Sequence, residues 1–107
     1  MNGERDAGGG DVPGFAADAA GTRWTCAGAL TFAEAGAVLA SSSTLALPSE
    51  GVVDCGSIGA FDSSAVAVLL ALKRRAAAEG RRIAFAGLPA RLEALATLYD
   101  VEEMLTA

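Results

Sequence analysis

Two hydroxyls beside a carboxylate stand out as groups able to do chemistry: Asp62, Ser63 and Ser64, within Phe61-Asp62-Ser63-Ser64-Ala65-Val66. A serine becomes a nucleophile only with a base in hydrogen-bond reach. The chain has no histidine, which removes the commonest general base and the commonest metal ligand together. Lys73 and the carboxylates are the remaining bases, and no Ser-x-x-Lys spacing occurs. Catalysis is therefore not expected. The triplet has two other uses. Asp62 or Ser63 can cap a helix by accepting from its orphan N–H groups. A serine hydroxyl exposed at the positive end of that helix can carry a phosphate or hydrogen-bond to a partner.

Other clusters point to structure. Asp54 and Asp62 suggest a cation pair only superficially, since one falls in a strand and the other at a cap. Gly8-Gly9-Gly10 is no phosphate loop, because no strand precedes it and no Gly-Lys-Ser/Thr follows. Lys73-Arg74-Arg75 reads as a solvated helix face, with a docking rim as its other use. Cys26 and Cys55 sit in apolar runs and read as buried reduced thiols rather than as a disulfide or redox pair. No cofactor or metal site is expected.

The elements that position the triplet follow from the apolar pattern. Ser63 to Glu79 is the strongest helix. Ala65, Val68, Leu69, Leu72 and Ala76 form one stripe at helical spacing, and Val66 and Leu70 a second beside it. Gly80 ends it as a left-handed C′ residue. Gly51 to Cys55 is the preceding strand, and Gly56 to Phe61 the loop between. Arg82 to Ala86 is another strand. A last helix starts at Pro89, with Leu92, Leu95, Ala96 and Tyr99 on its face. The tail adds a turn that packs Met104 and Leu105.

Upstream, Phe32 to Ser41 is helical, with Phe32, Ala35, Gly36 and Leu39 on one face. Thr31 is its N-cap, and Glu34 stands at capping-box spacing. Phe15 to Asp18 and Arg23 to Ala27 form a hairpin about Ala20 and Gly21. Strands separated by single helices imply a mostly parallel sheet of about four strands, with an N-terminal hairpin and the helices packed on one face. The sequence divides into a disordered, Gly-rich extension over 1–11 and one domain over 12–107.

Composition narrows the partners. Eight basic against thirteen acidic residues leave a net charge of -5, the wrong sign for a protein that grips phosphates with Lys and Arg. No apolar run approaches the roughly 18 residues of a membrane span. The N-terminal MNGERDAGGGD has no apolar core of a signal peptide. A cytoplasmic location is expected, with no nucleic-acid partner and no direct membrane insertion.

The order of elements, and above all VVDCGSIGAFDSSAVAVLLALKRRAAAEG followed by RRIAFAGLP, resembles the STAS domain family. Members have an apolar strand ending in Asp, a short loop, and Asp-Ser/Thr-Ser/Gly-Gly at the head of a long helix. Asp54 matches the strand-end Asp, and Asp62, Ser63 and Ser64 match the helix head. Ala65 departs from the usual Gly, and its methyl would crowd a partner packed tightly on the motif. The resemblance covers roughly Phe15 to Leu105.

Two branches of the family fit. Anti-sigma-factor antagonists switch partners under Ser/Thr phosphorylation. MlaB-type subunits serve the ABC transporter that moves phospholipid between inner and outer membranes. Leu95-Ala96-Thr97-Leu98-Tyr99-Asp100-Val101 resembles the Leu-Tyr-Asn/Asp ending of MlaB proteins, and favours that branch. The resemblance implies a non-enzymatic domain that binds and supports the transporter's ATPase subunit, and so lies on the inner membrane only through that complex. Asp62, Ser63, Ser64, Ala65 and Val66 would form the contact. The antagonist branch implies instead an anti-sigma kinase partner and phosphorylation at Ser64 or Ser63.

Overall fold

The structure, a computed structural model, describes residues 14–99. The expected disordered extension and the turn carrying Met104 and Leu105 lie outside the described residues. In chain order the elements are β1 (Gly14–Ala17), β2 (Arg23–Leu30), α1 (Phe32–Ser42), β3 (Val52–Phe61), α2 (Ser63–Ala78), β4 (Ala84–Ala86) and α3 (Ala90–Leu98). They build one four-stranded sheet in the order β1-β2-β3-β4. β1 and β2 are antiparallel, and β2, β3 and β4 run parallel.

The hairpin turn is held by Asp18, whose carboxylate accepts from the Thr22 N–H at 2.7 Å and the Arg23 N–H at 3.3 Å. Strand alternation then sends Trp24, Cys26 and Leu30 inward. On β3 the inward residues are Val53, Cys55 and Ile58, with Phe61 half-buried. That spacing breaks the period of two. From Thr25 to Ala27 β2 advances two residues while β3 advances three, from Asp54 to Ser57. The same happens between Gly28–Leu30 and Ile58–Phe61. Each extra residue is a bulge that resets which side chains face the core.

The expected loop over Gly56 to Phe61 is thus strand. Glycine, serine and alanine there are poor strand formers, but pairing with β2 holds them extended. Asp54 accordingly lies inside β3 rather than at its end. Its carboxylate accepts from the Gly56 N–H at 2.8 Å, next to the first bulge. Conversely, β4 is shorter than Arg82 to Ala86, because its ladder reaches only Val52 to Asp54.

The helices bury their apolar stripes against the inner face in one core. Both stripes expected for α2 are buried or half-buried, with Leu69 at 0% and Leu72 at 1% exposure. Gly80, at φ +71°, ends α2. The Arg81 N–H reaches the Ala76 carbonyl and the Gly80 N–H the Ala77 carbonyl, a Schellman ending. The other sheet face stays open. Ala16, Thr25, Asp54 and Ala86 line up across it in register. Small side chains and an ion-bearing one tolerate that exposure.

α1 is rotated from the expected face. Val38 and Ser42 are buried and Ala35 is half-buried, while Phe32 is 83% exposed. Leu39 is exposed as well. Thr31 occupies the N-cap position but makes no side-chain cap; its hydroxyl bonds the Glu34 carboxylate instead. In α3, Leu92 and Ala96 are buried, whereas Tyr99 is exposed rather than on the packed face.

The basic run is no solvated face. Only Arg74 is exposed. Lys73 Nζ donates to the Ile83 carbonyl at 2.9 Å and lies over the Phe85 ring. Arg75 donates to the Ser42 and Leu45 carbonyls at 2.9 and 2.6 Å and stacks over Trp24. Arg81 donates to the Leu47 and Pro48 carbonyls, and Trp24 Nε1 to the Ala46 carbonyl at 3.1 Å. Arg75, Arg81 and Trp24 thereby pin the connection from α1 to β3. Cys26 and Cys55 are free and buried. Burial pushes both thiols up to about 12, which keeps them protonated and poor as nucleophiles.

Candidate docking site at the helix heads

β2 and β3 end side by side at Leu30 and Phe61, which are register partners. Each is followed by one residue and then a helix. Thr31 leads to Phe32 at the start of α1, and Asp62 leads to Ser63 at the start of α2. Parallel pairing therefore sets two helix N-termini next to each other.

Asp62 joins them. It is the N-cap of α2 in extended conformation, and its Oδ1 accepts from the Ser64 N–H at 2.8 Å. Its Oδ2 accepts from the Phe32 N–H at 3.0 Å, 30 residues back in the chain. One carboxylate caps two helices, and supplies α1 with the acceptor that Thr31 does not. The Phe32 N–H first, and then the Ser64 N–H, hold the Asp62 carboxyl below its ordinary value. The Ser64 side chain lowers it further.

The five residues singled out in the sequence separate into two sets. Ser63 is exposed, and Asp62 and Ser64 are half-buried at the surface. Ala65 and Val66 are turned into the core at 0% and 4% exposure. The Ala65 methyl therefore points inward, and does not crowd a partner on the motif. Sequence reasoning missed the link from Asp62 to Phe32. Its signal was the matched pattern of strand end, single residue and helix start in Leu30-Thr31-Phe32 and Phe61-Asp62-Ser63.

Chemically, this site can accept and donate hydrogen bonds and present a hydroxyl at a helix head. Residues 55–61 of β3 separate Asp54 from Asp62, about 20 Å of strand, too far to share an ion. Among the described residues, no three His, Cys, Asp or Glu side chains converge as a metal site. Among the same residues, no helix is long and apolar enough to cross a membrane.

No curated protein matches the chain. Residues 14–106 match the sequence profile of a family described as Mlab, STAS domain. The profile spans every described element and both sides of the Asp62 cap. The chain belongs to the MlaB-type STAS domain family.

Proposed function

We propose that this chain is a non-enzymatic docking subunit. It binds and supports the cytoplasmic ATPase subunit of an ABC transporter that moves phospholipids between inner and outer membranes. The observation that carries the reading is the exposed Ser63 at the head of α2, in a chain of the MlaB-type family. Further along α2 the stripe of Ala65, Val68, Leu69, Leu72 and Ala76 is buried in the core, and Ser63 stands at the surface at its head. Asp62 caps the helix through the Ser64 N–H, and the exposed Ser63 hydroxyl is the group proposed to hydrogen-bond the partner.

The test is a pull-down of the ATPase subunit by wild type, Ser63→Glu and Ser64→Glu, each first shown to melt normally. Either glutamate is tolerated by the helix dipole, but an interface must desolvate its charge. Both folded variants are expected to lose most of the ATPase. Full retention by both would place the interface elsewhere.

A further inference from the structure

A large apolar side chain standing in water on a helix head calls for an explanation when the backbone beneath it is specially held. Phe32 is 83% exposed. It occupies the first position of α1, as Ser63 does of α2, and the two helices start from register-paired strand ends. Its own N-cap residue does not cap it. The acceptor arrives from Asp62, the residue just before Ser63. The backbone at the start of α1 is thus tied to the residue before Ser63 by a hydrogen bond that runs between the two helix heads.

We propose that Phe32 is the apolar anchor of the docking surface and that Asp62 is its positioning residue, holding the ring and the Ser63 hydroxyl in one fixed arrangement. The inference rests on the reading of the α2 head as the contact for the ATPase subunit, and deepens it. The partner surface has an apolar pocket that takes the ring, with a polar group beside it to meet Ser63. Aromatic side chains give much contact area at low conformational cost. Holding the backbone in place beforehand lowers the entropy lost on binding.

The experiment is equilibrium binding of the full chain to the purified ATPase subunit, with amide hydrogen exchange on the same variants. Phe32→Ala is expected to weaken binding roughly tenfold or more, the scale of an interface anchor, with an unchanged melting temperature because the ring is exposed. Phe32→Leu restores part of the affinity. Asp62→Ala weakens binding and speeds exchange of the Phe32 amide, while the amides of Leu69 and Leu72 keep their protection. Asp62→Asn retains an acceptor oxygen and falls between, which covers the case in which the alanine variant does not fold. Wild-type affinity in Phe32→Ala, in an assay where Ser63→Glu loses binding, overturns this inference and leaves the proposed function standing. Unchanged exchange at Phe32 in both Asp62 variants overturns the positioning role. Absence of binding by wild type overturns the inference and the proposed function together.

Discussion

At the scale of single residues, Asp62 has two structural jobs and both use its charge. It accepts from the Phe32 and Ser64 amides, and these bonds hold its carboxyl below the usual range. A carboxyl depressed in the folded state stabilises the fold at every pH above its unfolded value. That contribution fades as pH falls through the folded value. Asp18, depressed chiefly by the Thr22 hydroxyl, acts in the same direction. Wild type should therefore lose stability in acid below about pH 4. Asp62→Asn should melt lower than wild type at about pH 7, with a smaller gap at about pH 3. Thermal melts followed by circular dichroism at both pH values measure this. An equal gap at both would mean that the Asp62 charge contributes nothing to stability.

At the scale of elements, α2 is the piece on which the rest is assembled. Its stripe of Ala65, Val68, Leu69, Leu72 and Ala76 is buried throughout, and its basic residues fasten neighbouring backbone. Leu69→Ala and Leu72→Ala should each cost about 2–5 kcal/mol, the usual loss for a fully buried leucine in a core that closes incompletely. Denaturant unfolding of both variants gives the number, and an unchanged midpoint for both would place the core on another face. α2 was legible in the sequence because its periodicity, cap and terminal glycine agree. Asp62 was legible as a cap for the same reason. β3 beyond Cys55 was not legible, because two bulges break the alternation and its Gly-Ser-Ile-Gly-Ala run has little strand propensity. The buried face of α1 was misread because Phe32 and Leu39 are apolar yet exposed. The small Ala35 and Ser42 face inward with Val38, so size and polarity pointed the wrong way. Lys73 and Arg75 were hidden similarly: their carbonyl partners come from distant segments that local spacing cannot reveal.

At the scale of the whole molecule, a net charge of -5, a sheet covered on one face and a core built from few large side chains describe a small scaffold. Its shape brings two helix heads together at the ends of the parallel strands. The pairing of Leu30 with Phe61 starts α1 and α2 from neighbouring strand ends although Phe32 and Ser63 are far apart in sequence. Docking of these heads on an ABC transporter ATPase is the proposed function. It is tested most directly by identifying, by mass spectrometry, what co-purifies with a tagged copy in its native cell. The ATPase subunit should be recovered with wild type and lost with folded Ser63→Glu. Recovery instead of an anti-sigma kinase that phosphorylates Ser64, with no ATPase, would contradict it.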